Sequence, residues 1–363
     1  MGDIYSWAEN PKNWIFEQRI MPHIDAVAKH MNKFLEIEDI VEVRALTINL
    51  GNVYMEPGRY DKALKYYEQA LVGHEKSLGV GHPDTLTTVN NMVSVFRNQG
   101  QYDRALKYYE QALAGREKSL GVGHPDTLST VNNMASVFNS QGQYDKALKH
   151  YERALVGYEK SLGMDHPSTL TTVHNMAFVF NNQGQYDKAL KYCKQALAGH
   201  EKSLGVGHPD TLSTINYIAF VFNNQGQHYK ALKYYERALA GREESLGVDH
   251  PDTLTTVHNM ASVFDNQGQY DMALKYYERA LAGRENSLGV DHPSTLTTVH
   301  SIAFVYNNQG QYDKALKYYE QAILGSHTRL GGNHPGTQRT HERLVNLYKK
   351  TGWPLATWVC QPL

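Results

Sequence analysis

Seven histidines, each followed by proline, stand at His82, His124, His166, His208, His250, His292 and His334, one every 42 residues. An imidazole can ligate a metal, carry a proton or bond the backbone. Zinc needs its nitrogens within ~2.1 Å of the ion, whereas stacked helical repeats stand about 10 Å apart, one helix diameter. Neighbouring copies therefore cannot share an ion, and no metal or other cofactor is expected. The first six His-Pro pairs are followed by Asp84, Asp126, Ser168, Asp210, Asp252 or Ser294, and then by Thr. Proline is tolerated in the first turn of a helix, where its missing N–H is not needed. Asp or Ser there caps the helix or complements its dipole. The motif therefore marks a helix start. Whether the histidine or the Asp/Ser position supplies the cap stays open at this level.

The residues next suited to chemistry form a polar stripe within each repeat. In the unit at 82–123 it reads Thr87, Asn90, Ser94, Arg97 and Asn98, at spacings of three and four that share one helix face. It continues as Ser129, Asn132, Ser136 and Asn139, then Thr171, His174, Phe178 and Asn181, then Ser213, Asn216, Phe220 and Asn223. Thr255, His258, Ser262 and Asp265 follow, and then Thr297, His300, Phe304 and Asn307. An Asn amide donates to and accepts from a peptide backbone at once, and the phenylalanines offer room for an apolar side chain. Copying of the repeat alone would have left Ser at those three positions, as at Ser94 and Ser136. His174, His258 and His300 are expected to be neutral hydrogen-bonders. Asn91 and its equivalents lie beside the stripe and either line the groove or bond between helices.

Two helices per unit hold that stripe. Leu86, Val89, Met92, Val93 and Phe96 repeat at helical spacing up to Gly100, which suits a left-handed helix cap. A second stripe runs through Tyr102, Ala105, Leu106, Tyr109, Ala112, Leu113, Arg116 and Leu120 to Gly121. We call the two helices A and B. Ala105 and Ala112 let B approach A closely, and Phe96, Tyr102 and Tyr109 fill the space beside them. A lone hairpin leaves one face bare, so neighbours must stack on it.

The small residue Ala135, the aromatic Phe138, "QGQYDKAL" at 141–148, and Tyr151, Ala154 and Leu155 resemble the tetratricopeptide repeat. The longer period and the His-Pro-Asp turn resemble kinesin light chain repeats over residues 36–352. "WIFEQRIMPHIDAVAKHM" at 14–31 resembles the segment that precedes the repeats in fungal proteins pairing an NB-ARC nucleotide switch with tetratricopeptide repeats. The chain has no G-x-x-x-x-G-K-[ST] and no long heptad segment, so the resemblance implies the binding arm alone. It implies an all-α, right-handed α-solenoid of antiparallel helix pairs, with the A helices on its concave side. There the groove residues would be Asn90, Ser94, Arg97, Asn132, Ser136, Asn139, His174, Phe178, Asn181, Asn216, Phe220, Asn223, His258, Asp265, His300, Phe304 and Asn307. Residues 1–35 would be an N-terminal helical cap kinked or broken at Pro22, 36–336 seven helix pairs, and 337–363 a capping helix and tail. That tail folds back through Trp353 and Trp358 or frays.

Bulk composition narrows the function. Lys and Arg number 36 against 37 Asp and Glu, which argues against nucleic-acid binding through phosphates. Cys193 and Cys360 are the only cysteines, too few for a disulfide framework or a Cys-rich zinc site. No run of 18 apolar residues exists and the N-terminus lacks a signal-peptide core, so a soluble cytoplasmic protein is expected. "MGDIYS" and "CQPL" fit loose lipidation patterns at Gly2 and Cys360, but Asp3, Gln361 and Pro362 spoil both. Every chemically interesting residue comes in several equivalent copies, whereas an active site needs a singular constellation. The expected function is a non-enzymatic scaffold binding a protein or peptide segment. A detached sensor arm of a nucleotide-switch system, or an array that binds its own copies, is the alternative.

Overall fold

The computed structural model describes residues 25–26, 41–55, 59–330, 332 and 335–352. The fungal-type segment at 14–31, apart from residues 25 and 26, lies outside the described residues, as do Gly2, Pro22, His334, Trp353, Trp358 and Cys360. Among the described residues there are helices and no strands. The A helices are α1 (Val41–Met55), α3 (Pro83–Asn98), α5 (Pro125–Ser140), α7 (Pro167–Asn182), α9 (Pro209–Asn224), α11 (Pro251–Asn266), α13 (Pro293–Asn308) and α15 (Pro335–Thr351). The B helices are α2 (Tyr60–Leu78), α4 (Tyr102–Leu120), α6 (Tyr144–Ser161), α8 (Tyr186–Ser203), α10 (His228–Ser245), α12 (Tyr270–Ser287) and α14 (Tyr312–Leu330). α4 begins at Tyr102, the first residue of the second stripe, and the other B helices begin at the matching Tyr or His.

The chain divides into two compact units, one over 23–225 and one whose described part is 226–352. In each, every helix packs on its sequence neighbours, and successive A helices also touch. The fold is thus an all-α array of stacked helix pairs. Ala147 and Ala154 are fully buried in α6, and Tyr151 is nearly so, as the alternation of small and large residues predicts. Glycine in mid-helix serves the same close approach. A Cβ on Gly199 of α8 would stand 2.4 Å from Leu170 Cδ2 of α7.

The histidine supplies the cap. In α3, α5, α7, α9, α11 and α13 the backbone N–H of the residue after proline donates to the histidine Nδ1, at 3.1–3.2 Å. An Nδ1 that accepts a hydrogen bond puts the imidazole proton on Nε2. The following threonine ties that turn to the preceding B helix. Thr85, Thr169, Thr211, Thr253 and Thr295 donate to the carbonyls of Gly79, Gly163, Gly205, Gly247 and Gly289 at 2.7–2.8 Å. Those glycines have φ of 88–97°, open to glycine and strained for other residues.

Asp25 bonds to the turn between α1 and α2. It accepts from Tyr54, Arg59 and Lys62 at 2.7, 2.9 and 2.7 Å. The Lys62 ammonium, with Tyr54 and Arg59, holds its carboxyl down to about 2.

Candidate functional site

The polar stripe lies on the A helices, and much of it is spent on holding neighbouring A helices together. Asn133 donates to Asn90 Oδ1 at 3.2 Å, so the residues beside the stripe bond between helices. Thr172 donates to Asn132 Oδ1 at 3.1 Å. Asn182 donates to Asn139 Oδ1 at 3.2 Å and Asn224 to Asn181 Oδ1 at 3.0 Å, while Arg97 donates to Ser140 Oγ at 3.3 Å. Asn181 and Asn223 are buried. Ser136, Asn216, Ser262 and Asn307 are half-buried, and Ser94 is exposed. Asp265, where the neighbouring pairs carry Asn, has its pKa raised by burial and accepts from Asn308.

The three histidines are half-buried and neutral. Burial pushes His174 down to about 4, with His200 adding to the effect, and His258 down to about 3, with Arg284 adding. Burial and the charges of Arg343 and Arg339 hold His300 at about 4. His300 Nδ1 is 3.0 Å from Thr340 Oγ1, and His258 and His300 stand edge-on to Tyr277 and Tyr319. His258 and His300 are hydrogen-bonding struts between A helices, His258 through Thr298.

One part of the face is different. In the unit 23–225, Tyr217 replaces the Asn or Ser that flanks the stripe elsewhere. Its ring lies 4.8 Å from His174, 5.5 Å from Phe178 and 5.8 Å from Phe220, nearly parallel to both phenylalanines. Phe178 remains 41% exposed at the edge of this row. The Tyr217 hydroxyl and Asn216 Oδ1 are buried without a hydrogen-bond partner among the described residues. Phe304 joins no such row: the Arg343 guanidinium covers it at 4.9 Å.

Tyr217 has room because Cys193 of α8 stands where other B helices carry Tyr151, Tyr235 or Tyr277. Tyr277 rises from its B helix to the hydroxyls of Ser262 and Ser301 on two successive A helices. Cys193 leaves that space empty, and Tyr217 enters it from the A side, close enough to feel the sulfur. Burial pushes the Cys193 thiol up to about 12, so it is a packing residue with no nucleophilic character. Periodicity misses Tyr217 because it treats each helix alone. The signal was the joint departure of two residues, Tyr to Cys on B and Asn to Tyr on A.

Among the described residues no group of three His, Cys, Asp or Glu could hold a metal ion, and no helix is long and apolar enough to cross a membrane. No curated protein matches the chain. Among solved structures it is similar to the nearly identical TPR-like repeats of a kinesin light chain-like protein from Podosopora anserina. That match has 27% identity over 56% of this chain and 96% of the other, with a TM-score of 0.48. It is also similar to a tetratricopeptide repeat protein from Parabacteroides merdae (16% identity, 84% of this chain and 99% of that, TM-score 0.54). A further likeness is to RapI in its apo form (16% identity, 78% and 98%, TM-score 0.55). At such identity these two show the fold alone. The tetratricopeptide repeat family itself matches residues 42–118, 84–160, 126–202, 168–221, 210–286, 256–323 and 294–352. The first five of those overlapping segments start 42 residues apart, the step that the caps and glycines keep, and the chain belongs to the tetratricopeptide repeat family.

Proposed function

We propose that this chain is a non-enzymatic scaffold that holds an extended segment of a partner protein against its A-helix face, with the aromatic row of α7 and α9 as the anchor. The carrying observation is Phe178, which keeps 41% of its surface exposed beside Tyr217 and Phe220 where sibling repeats place serine. An exposed aromatic next to a half-buried one is a seat for an apolar side chain. Stripe groups not spent on neighbouring helices, such as the Ser94 hydroxyl, lie on the same face for the partner's backbone. With the aromatic anchor rather than a basic one, the partner class is protein and not nucleic acid.

The test is affinity capture of extended peptides from a displayed random library, with wild type and a Phe178→Ser/Phe220→Ser variant in parallel. Serine is native at the matching positions Ser94, Ser136 and Ser262, so the variant should fold. Wild type should enrich peptides with a bulky apolar residue, and the variant should lose them. Equal enrichment by both proteins would remove the aromatic row as the anchor.

A further inference from the structure

Near the end of each B helix one buried position varies among the repeats: His74, Arg116, Tyr158, His200, Arg242, Arg284 and Ser326. The His and Arg side chains reach the first two turns of the next A helix. His74 Nδ1 stands 3.0 Å from Thr88 Oγ1, and His200 Nδ1 stands 3.0 Å from Thr214 Oγ1. Arg242 donates to the Asp252 carbonyl and to Thr256 Oγ1, both at 2.8 Å. Arg284 has the fullest set. Its Nη1 donates to the Ser294 carbonyl at 2.9 Å and to Thr298 Oγ1 at 2.7 Å, and its Nη2 to Thr255 Oγ1 at 3.1 Å. All three acceptors are neutral oxygens.

One repeat later, Gly336, Thr340 and Thr297 stand at the positions of Ser294, Thr298 and Thr255. The guanidinium does not, because Ser326 stands where Arg284 was. The shorter side chain leaves a cavity of about 120 Å³, lined by Leu296, Thr297, His300, Ser326, Gly336 and Thr340, with Arg339 at its edge. That is room for several waters, each of which needs roughly 10–15 Å³. Thr297 and Arg339 are exposed, so the cavity is reached from solvent.

We infer that this cavity receives a guanidinium group from outside, an arginine side chain of another molecule taking the place that Arg284 fills in the preceding repeat. The hydroxyls are set for it. Thr340 donates to the Gly336 carbonyl at 2.9 Å, so the neutral His300 donates from Nδ1 to Thr340 Oγ1. One lone pair of that oxygen remains for a guest. Thr298 has the same arrangement: it donates to the Ser294 carbonyl and accepts from Arg284. Thr297 donates to the Pro293 carbonyl at 2.8 Å and keeps its lone pairs, as Thr255 does with Pro251 while accepting from Arg284. Neutral acceptors spread in a plane suit the fixed fork of a guanidinium better than the point charge of an ammonium. Arg339 opposes any cationic guest, but it is exposed and its repulsion is screened by salt. Added salt should therefore leave arginine binding unchanged or strengthen it, whereas a carboxylate guest drawn by Arg339 would bind more weakly.

The experiment titrates the full chain with N-acetyl-arginine amide by calorimetry and thermal shift, beside the citrulline, lysine and glutamate analogues. The arginine compound should bind with a millimolar Kd and raise Tm, and the other three should bind at least about tenfold more weakly. Ser326→Arg should fill the cavity from within, raise Tm and abolish the response. Thr340→Val, with helicity checked by circular dichroism, should weaken the arginine compound about tenfold and keeps the test decisive should Ser326→Arg misfold. Equal binding of the arginine and citrulline compounds, preference for glutamate, or an undiminished response in Ser326→Arg or Thr340→Val would overturn the assignment. The inference does not rest on the aromatic anchor. A single residue is the probe, so the outcome stands whether or not a peptide occupies the face around Phe178.

Discussion

Around α7 and α9 the A-helix face carries an aromatic row of His174, Phe178, Tyr217 and Phe220. Around α11 and α13 the matching positions hold His258, Ser262, Ser301 and Phe304, with Tyr277 rising from below and Arg343 covering Phe304. The backbone is the same in both: the caps, glycine turns and helix limits coincide. What differs is the helix from which the inter-repeat tyrosine comes. When α12 supplies Tyr277, its hydroxyl is tied to serines and the face is polar. When α8 supplies only Cys193, Tyr217 of α9 fills the room from above, and its ring brings two phenylalanines into one surface. A repeat array thus changes the character of its A-helix face by moving one aromatic ring from B to A without altering the fold.

The strongest way to break this comparison is Cys193→Tyr. It puts two tyrosines into space meant for one, and overpacking of this kind costs about 3 kcal/mol. Cys193→Tyr/Tyr217→Asn restores the arrangement of the sibling repeats and should recover most of the loss, a coupling of roughly 2 kcal/mol in urea melts. Simple additivity would show that the two substitutions are independent.

Arg284→Ser is next. It should open in the second unit a cavity like that beside Ser326, at about 2 kcal/mol by chemical denaturation. An unchanged midpoint would mean that the guanidinium contributes no net packing.

The histidines sharpen the contrast through pH. In the unfolded chain an imidazole titrates near ~6.5, whereas burial holds His258 near 3 and His174 and His300 near 4. As pH falls the unfolded state takes up these protons first. Their contribution is complete above about pH 7 and declines from ~6.5 down to about 4 for His174 and His300 and about 3 for His258. His258→Asn/His300→Asn borrows the residue found at Asn90, Asn132 and Asn216, and should flatten the fall of Tm across that window. A profile as steep as wild type would assign the fall to other groups.

Smallest is Phe178→Ala. An exposed ring should cost no more than about 0.5 kcal/mol of stability. A larger drop in a thermal melt would mean that the aromatic row is part of the core.

Much of this was legible in the sequence. Gly-Gln-Tyr-Asp announced the B helices at Tyr102, Tyr144 and Tyr186, because a left-handed glycine and an acidic first turn are local signals. His82 as the cap was not legible, since Asp84 is the commoner capping residue and only geometry shows which side chain accepts. Arg116 sits in the apolar stripe of its helix, but its burial against the next helix needs the partner in view. The asparagines of the stripe lie on the A helices. Their use as a ladder, with Asn139 accepting from Asn182, depends on contacts some 43 residues apart. Tyr217 escaped for the same reason: its cause, Cys193, lies on another helix.

The threonine bond that follows each cap has a consequence for how the array comes apart. Thr85, Thr169, Thr211, Thr253 and Thr295 each fasten the start of one repeat to the closing glycine of the last. Thr127 is buried like them, yet its hydroxyl finds no partner among the described residues, so the junction after Gly121 lacks the latch its siblings have. In a quasi-one-dimensional chain of nearest-neighbour couplings, the weakest coupling sets where a fracture begins. Amide hydrogens and protease sites at 121–127 should open ahead of those at the latched junctions, making that turn the seam along which the first unit unzips.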